Sequence, residues 1–303
     1  MKLTRRQALS SAAILPLAAG ATPTLAASHA EPSPLPTHRV HNLGDFKVVT
    51  LLAGSRAVPD PHTIFGLNVP DEEFDAVSEA GFLPSDNSQF FFTPTLVDTG
   101  EAKILFDTGL NPGGITAALG AAGYAPGDID TVVITHMHGD HIGGLSGGDG
   151  ETFANAGYVT GNIEFDHWAG AGNDNFEGKV RPLADKFQFL DDGGAVASGI
   201  TAVAAHGHTP GHMAYMLDSG GKQMLLIADT ANHAVWSLER PDWEVRFDMD
   251  KAAAAATRRK LFGMVAADRI PLIGYHLPFP AVGYVEVRGD GFAYVPASYQ
   301  LML

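Results

Sequence analysis

The chain of 303 residues contains no cysteine. This absence excludes disulfide-stapled folds, thiolate zinc sites, iron–sulfur clusters and thiol nucleophiles. Basic residues are also scarce, because 19 Lys and Arg stand against 34 Asp and Glu, giving a formal net charge of −15. Such a surface repels phosphate backbones and anionic membranes, so we expect no nucleic-acid partner. Any metal site must therefore be built from the 13 histidines and the carboxylates.

The chain also lacks a long apolar run near its start. The run from Ala8 to Ala21 is shorter than the about 20 apolar residues that a membrane span needs. It follows three basic residues and leads into small residues, which predicts a cleavable export signal over residues 1–30. The pair Arg5-Arg6 resembles the twin-arginine type of signal. We therefore expect a periplasmic or secreted protein with no membrane span.

The rest of the chain has the composition of a folded domain, with 45% hydrophobic and 17% charged residues. A proline-rich stretch predicts a linker over residues 31–45, followed by a single domain over 46–303. Residues 57–90 are rich in Pro, Asp and Gly, and they predict a long surface loop of the kind that forms lids.

Strand-like segments alternate with helices in both halves of the domain. Strands are predicted at 46–52, 95–97, 103–106, 131–135, 201–205, 213–217, 223–228, 270–275, 284–287 and 292–295. Helices are predicted at 115–122 and at 250–267, where Asp250 is a suitable N-cap. This order favours two packed sheets with helices outside. The basic run Arg258-Arg259-Lys260 is predicted to lie on a solvated helix face.

A dense cluster of potential metal ligands follows the predicted strand at 131–135. It reads His136-Met137-His138-Gly139-Asp140-His141, with four donors in six residues. Imidazole nitrogens and carboxylate oxygens bind zinc at similar distances of about 2.0–2.2 Å. A strand end can aim such side chains at two neighbouring points, so the cluster predicts a site for adjacent metal ions.

This cluster resembles the signature of the metallo-β-lactamase superfamily, whose α+β fold is a four-layer αββα sandwich. The resemblance extends to His208 in Gly-His-Thr-Pro-Gly-His, to Asp229 and to His276, each of which follows a predicted strand. It implies two divalent metal ions, expected to be zinc, with Asp229 as the bridging carboxylate. The implied ligands are His136, His138, Asp140, His141, His208, Asp229 and His276. The motif Phe106-Asp107-Thr108-Gly109 is similar to one that supports the site in this family.

The resemblance is strongest to methyl parathion hydrolase and, more distantly, to acyl-homoserine lactonases. It implies a dinuclear hydrolase in which a shared hydroxide attacks lactones, esters or organophosphate triesters, with Asp140 orienting the hydroxide or taking its proton. Trp168, Phe187 and the run 90–92 are candidates for an apolar wall, which would favour a small, neutral, hydrophobic substrate. His233 is a candidate to donate a proton to the leaving group. Proteins of this kind are often dimers, so a homodimer is also considered.

Two other functions remain open at this stage. One is a different enzyme of the same fold, either a thioesterase of the glyoxalase II kind or a mononuclear iron dioxygenase of persulfides. The other is an exported metal-binding protein without turnover. Ser146 lies in a sequence similar to a nucleophile elbow, but the preceding strand leads into the histidine cluster instead. His206 and His212 flank His208, and we expect them to support the site without binding metal.

Overall fold

The computed structural model describes residues 36–297. The predicted export signal over residues 1–30 and the first part of the predicted linker lie outside this range. Within it, none of the helices combines the length and the apolar character that crossing a membrane requires.

The first half of the described chain contributes eleven strands. They are β1 (His38–Leu43), β2 (Phe46–Leu51), β3 (Gly54–Pro59), β4 (Asn87–Phe92), β5 (Thr95–Asp98), β6 (Lys103–Phe106), β7 (Thr131–Ile134), β8 (Ser146–Gly147), β9 (Gly150–Glu151), β10 (Gly157–Gly161) and β11 (Phe187–Leu190). The second half adds β12 (Ala195–Ala197), β13 (Ile200–Ala204), β14 (Met213–Ser219), β15 (Lys222–Ala228), β16 (Leu272–Gly274), β17 (Val282–Arg288) and β18 (Gly291–Pro296).

Helices connect these strands. The α-helices are α1 (Asp71–Ala80), α2 (Pro112–Ala121), α3 (Gly139–Ile142), α4 (Asn162–Ala171), α5 (Asp174–Lys179) and α6 (Lys251–Asp268). Short 3₁₀ helices span Pro61–Thr63, Pro126–Asp128 and Arg181–Lys186, and a π-helix spans Ala234–Glu239. The predicted N-cap is confirmed, because the side chain of Asp250 accepts a hydrogen bond of 2.9 Å from the Ala253 amide.

The strands of the described range form two seven-stranded sheets. The first has the order β1-β2-β5-β6-β7-β10-β11, and the second has the order β12-β13-β14-β15-β16-β17-β18. From β6 to β11 the neighbouring strands of the first sheet run parallel, and in the second sheet β15 and β16 are a parallel pair. The hairpins β3-β4 and β8-β9 stand apart as two-stranded sheets.

The two faces of β7 show how the layers pack. Val133 joins Tyr215 in the apolar cluster between the two sheets, whereas Val132 joins Leu119 of α2 in the cluster on the outer face of the first sheet. Because both faces of this strand are buried beyond its first residue, its last three residues are all apolar. Helix α6 packs on the second sheet through Phe262. The predicted four-layer αββα arrangement is confirmed.

Two predictions about the first third of the domain need correction. Part of the predicted linker is the strand His38–Leu43, which pairs antiparallel with Phe46–Leu51. The predicted loop over residues 57–90 contains the end of β3, all of α1 and the start of β4. An aromatic cluster fixes this segment on the domain, because Phe74 of α1 packs against Trp236 and Trp243. The prolines and glycines of this segment mark its turns, while its aromatic residues supply a small core of their own.

Phe187 also lies elsewhere than predicted. Its ring stacks on Tyr158 at 5.2 Å and contacts Phe165, and it belongs to the core on the outer face of the first sheet. This corrects the prediction that Phe187 lines a substrate pocket.

We therefore expect Phe187→Ala to lower the free energy of unfolding by about 3 kcal/mol, because the change leaves a cavity in a packed core. Urea denaturation measures this loss. Phe189→Ala is the matched control on the same strand, since Phe189 is 45% exposed, and it should cost less than half as much. Equal costs for the two variants would contradict the assignment of Phe187 to the core.

Candidate metal centre

The fold brings the predicted ligands to one edge because they follow the carboxyl ends of strands. Asp107 and His136 follow β6 and β7, which are parallel neighbours in the first sheet. Asp229 and His276 follow β15 and β16, the parallel pair of the second sheet. His208 lies on the loop between β13 and β14. Carboxyl ends of parallel strands meet at the same sheet edge, so residues distant in sequence meet there.

Three imidazoles form the first group of donors. The Nδ1 atom of His138 lies 3.1 Å from Nε2 of His136 and 3.0 Å from Nε2 of His208. Two ligand atoms that bind one ion tetrahedrally at about 2.1 Å are about 3.4 Å apart. The three nitrogens are therefore spaced as ligands of a single ion would be.

The second group combines Asp140, His141 and His276. Oδ2 of Asp140 lies 3.3 Å from Nε2 of His276 and 3.7 Å from Nε2 of His141. Asp229 stands between the two groups. Its Oδ2 atom lies 3.4 Å from Nε2 of His208 and 3.2 Å from Nε2 of His276, while its Oδ1 atom faces His141 at 3.3 Å. This is the position that a bridging carboxylate requires.

Two buried atoms at the centre of the site have no hydrogen-bond partner in the described part of the chain. They are Nε2 of His141 and Oδ1 of Asp229, which face one another. An unsatisfied buried polar atom costs about 1–3 kcal/mol, and more if it is charged. A metal ion would satisfy both atoms at once, so the donor set fits a divalent cation that accepts nitrogen and oxygen ligands.

In three of these imidazoles, the nitrogen that points away from the site is hydrogen-bonded to the protein. Nδ1 of His141 donates to Asp107 at 2.9 Å, Nδ1 of His208 donates to Asp248 at 3.0 Å, and Nδ1 of His276 donates to the Phe91 carbonyl at 2.8 Å. Because each Nδ1 atom carries the proton in the neutral ring, each Nε2 lone pair points into the site.

The electrostatic environment differs between the two groups. Burial lowers the pKa of His136 well below its usual value and lowers the pKa of His138 to about 3. Burial also disfavours charge on His141 and His276, but attraction to Asp229 outweighs it, raising the pKa of His141 well above its usual value and that of His276 to about 10. A metal ion that binds beside Asp229 therefore replaces protons that these two histidines hold.

Asp107 anchors the loop of the histidine cluster, as the motif predicts. Its two carboxylate oxygens accept hydrogen bonds from the amide and the hydroxyl of Thr135, and one of them also accepts the Nδ1 proton of His141. Asp107 has a left-handed backbone with φ of 62°, and Ala228, directly before Asp229, has φ of 44°. Such conformations cost about 1–3 kcal/mol and persist where the surrounding structure enforces them.

Glu164 of α4 is a site residue that the sequence reasoning missed. Its carboxylate is fully buried and accepts hydrogen bonds from the Met137 amide, the Trp168 indole, the Thr209 hydroxyl and the Gly211 amide. A Cβ atom on Gly211 would lie 2.1 Å from the Glu164 nitrogen, so glycine is required for this approach. Glu164 thus joins the loop of the histidine cluster to the loop of His208. The sequence signal for this role is the spacing of Glu164 and Trp168, because residues four apart lie on the same face of a helix.

Asp248 and Arg258 were also missed. Asp248 accepts the Nδ1 proton of His208 on one oxygen, and its other oxygen accepts a hydrogen bond of 2.8 Å from Arg258. Arg258 is fully buried and also donates to the carbonyls of Pro241 and Trp243. This corrects the prediction that the whole basic run is solvated. Arg259, by contrast, is exposed and paired with Asp242.

A cavity of about 440 Å³ opens onto the donor groups, within the range of about 300–1,000 Å³ that is usual for small-molecule sites. Phe90 and Phe92 set their rings edge-on against His276, at 5.6 and 5.5 Å between ring centroids. The residues that line the cavity are Arg56, Phe90, Phe92, Leu110, His138, Gly139, Asp140, Asn175, Asp229, Phe247 and His276.

Two predicted pocket residues are absent from this lining. Trp168 is buried with its indole N–H on Glu164 and its ring 5.8 Å from His138, so it supports the site from behind. His233 caps the π-helix, because its Nδ1 atom accepts hydrogen bonds from the amides of Val235 and Trp236, and burial lowers its pKa to about 3. This corrects the prediction of His233 as a substrate-binding proton donor.

The histidines that flank His208 contribute no atom to the donor groups of the described chain. His212 donates from Nδ1 to the Ala205 carbonyl and accepts the Asp229 amide proton on Nε2. It therefore positions the backbone of the carboxylate between the two groups. The carbonyl of His206 accepts a hydrogen bond from the Thr257 hydroxyl of α6.

Comparisons with known proteins agree with this geometry. A family model described as the metallo-beta-lactamase superfamily matches residues 93–271. Among solved structures, AidC, a dizinc quorum-quenching lactonase in complex with a product, has a TM-score of 0.80 and 25% identity, over 86% of this chain and 97% of that chain. The hydrolase AbOPH of the beta lactamase superfamily has a TM-score of 0.80 and 23% identity, over 88% of this chain and 99% of that chain, which shows a shared fold.

A curated relative is also similar over a short segment. It is the exodeoxyribonuclease WalJ of Streptococcus pneumoniae serotype 2, which is 38% identical over 73 residues. The match covers 23% of this chain and 26% of the relative, so it spans about a quarter of that protein's length.

We expect Asp248→Asn to weaken metal binding by about 10- to 100-fold, because the neutral amide no longer holds His208 by a charged hydrogen bond. Competition with a chelator of known affinity measures this. Asp250→Asn is the matched control, since asparagine also caps helices well, and it should leave metal affinity unchanged. Unaltered affinity in the Asp248 variant would mean that Asp248 does not orient a ligand.

Proposed function

The chain belongs to the metallo-β-lactamase superfamily and is a metal-dependent hydrolase, and we propose that it uses two metal ions to cleave lactones, esters or organophosphate triesters. One observation carries this proposal. Seven residues from four stretches of the described chain bring nitrogen and oxygen donors together around Asp229, and two of their buried atoms have no hydrogen-bond partner within residues 36–297. Similarity to a dizinc lactonase supports the lactone as one substrate class.

The first group, together with Asp229, would hold one ion, and the second group with Asp229 would hold the other. When bound, such a pair of ions supplies a Lewis acid and acidifies water. Zinc is the proposed metal, because neutral imidazoles and carboxylates are ligands that suit it.

The protein's own side chains would perform the remaining tasks. Asp140 lines the cavity with a side chain that is 23% exposed, so it can orient the attacking water and take its proton on a carboxylate oxygen. Tyr275 fixes the Asp140 backbone, since its hydroxyl donates to the Asp140 carbonyl at 2.6 Å. The rings of Phe90 and Phe92 shield the reacting group from bulk water, which strengthens charge interactions there. Attack on the carbonyl carbon or on phosphorus breaks its bond to the leaving oxygen, which takes up the proton that Asp140 accepted. An ester or a phosphotriester then releases an alcohol, and a lactone opens to a hydroxy acid.

The geometry favours this function over the alternatives from the sequence. A mononuclear iron dioxygenase needs one group of donors, whereas the described residues form two groups around a shared carboxylate. A thioesterase would use the same donors, so only substrates distinguish it from the proposed hydrolase.

Removal of metal should abolish hydrolysis, and the metal that restores it identifies the active form. The experiment treats the purified protein with a chelator and then reloads it with zinc, manganese or iron. Each form is assayed on a lactone, an aryl ester, a thioester and a phosphotriester. Full activity in metal-free protein would refute the proposal, and oxygen consumption by the iron form would favour the dioxygenase.

Substitutions of His208 and His212 distinguish a metal ligand from a supporting residue. We expect His208→Ala to lower kcat/KM by about a thousandfold, which corresponds to about 4 kcal/mol of lost transition-state stabilisation. Asp229→Asn should have a comparable effect. His212→Ala removes one buried hydrogen bond to the Asp229 amide and should cost about tenfold. The reverse order in steady-state kinetics would assign the ligand role to His212.

A further inference from the structure

One basic side chain, Arg56, lines the metal cavity among its described residues. It lies on β3 opposite Phe90 of β4, and its guanidinium carbon stands 6.0 Å from the centroid of the Phe92 ring. The sequence reasoning gave Arg56 no role, because it belongs to no motif and lies between the strand predicted at 46–52 and the loop predicted at 57–90.

Arg56 has no acceptor among the residues that the structure describes. Across residues 36–297, its guanidinium makes no hydrogen bond and no ion pair, whereas Arg258, Arg259 and Arg181 each pair with a carboxylate. The amide of Asn175, which lines the same cavity, likewise has no hydrogen-bond partner in this range. The cavity therefore offers a full positive charge and further donors that only a ligand or water can satisfy.

The position of Arg56 sets the distance at which it acts. The Phe92 ring lies near both groups, with its centroid 6.0 Å from the guanidinium carbon and 5.5 Å from the His276 ring centroid. A group bound by Arg56 therefore lies in the same cavity as the metal ligands, on the side that Phe92 lines. Arg56 is an exposed residue, so its attraction for an anion acts largely through water.

We propose that Arg56 binds a carboxylate at the end of the substrate remote from the scissile bond. This inference rests on the proposed function and narrows its substrates to esters or lactones that carry an acid group a few carbons from the reacting carbonyl. The planar guanidinium matches a carboxylate through two parallel hydrogen bonds. The aromatic wall alone predicts a neutral substrate, whereas Arg56 implies a substrate with a negative charge at one end.

A matched pair of substrates tests the proposal. One is the 4-nitrophenyl monoester of adipic acid, and the other is the same compound with its distal carboxyl methylated. We expect the metal-loaded protein to prefer the acid by about threefold in kcat/KM, as an ion pair with an exposed guanidinium predicts. Arg56→Gln should lower kcat/KM for the acid more than for the methylated ester and so bring this preference to about one, and Arg56→Lys should retain part of it.

Arg288→Gln is the control for net charge, because Arg288 is exposed on β17 and lies outside the cavity. It should keep the preference of the unaltered protein. Equal loss on both substrates in Arg56→Gln would assign Arg56 a structural role through Phe92 and overturn the proposal, as would an unchanged preference.

Failure of the proposed function gives a different result, since neither ester would then be hydrolysed by metal-loaded protein. Calorimetric titration with adipate still tests Arg56 in that case, because it needs no turnover. Adipate should bind the metal-loaded protein about threefold more tightly than it binds the Arg56→Gln variant. Equal affinities would overturn the inference.

Discussion

The site depends on one buried negative charge, the carboxylate of Asp229. Burial alone would raise its pKa, but the positive charges of His276 and His141 outweigh that effect and hold the pKa well below its usual value. A charge removed from water is costly unless cations compensate it. Both donor groups face this carboxylate, His208 and His276 at Oδ2 and His141 at Oδ1, so the same charge that requires compensation also keeps the groups together.

Three further buried carboxylates keep the imidazoles in place. The Asp107 carboxylate accepts the Nδ1 proton of His141, and the Asp248 carboxylate accepts that of His208. Glu164 links the two loops that carry these histidines by accepting hydrogen bonds from both. The carboxylate oxygens of all three accept hydrogen bonds from protein donors. A buried polar network that is fully satisfied is rigid, whereas a partly satisfied one destabilises the protein. The donors are therefore held in position before any ion or substrate arrives.

The sequence predicted those parts of the structure that local patterns encode. The histidine cluster, the strand ends before His208, Asp229 and His276, and the layered fold all follow from short motifs and apolar runs, and the family prediction is confirmed. The motif also predicted the supporting role of Asp107, but Asp248 could not be found in this way, since it and His208 are 40 residues apart. Helix α6 is rich in alanine, so its apolar pattern did not distinguish the buried Arg258 from the exposed Arg259.

The hairpin β3-β4 has a consequence for how this enzyme could diversify. It forms a separate two-stranded sheet and carries Arg56, Phe90 and Phe92 of the cavity wall, yet none of its residues belongs to the donor groups. The donor groups and this part of the cavity wall are thus encoded in different stretches of the polypeptide, which meet where the Phe91 carbonyl accepts a hydrogen bond from His276. Because the backbone makes that contact, side chains of the hairpin can be exchanged while every donor residue stays in the sequence.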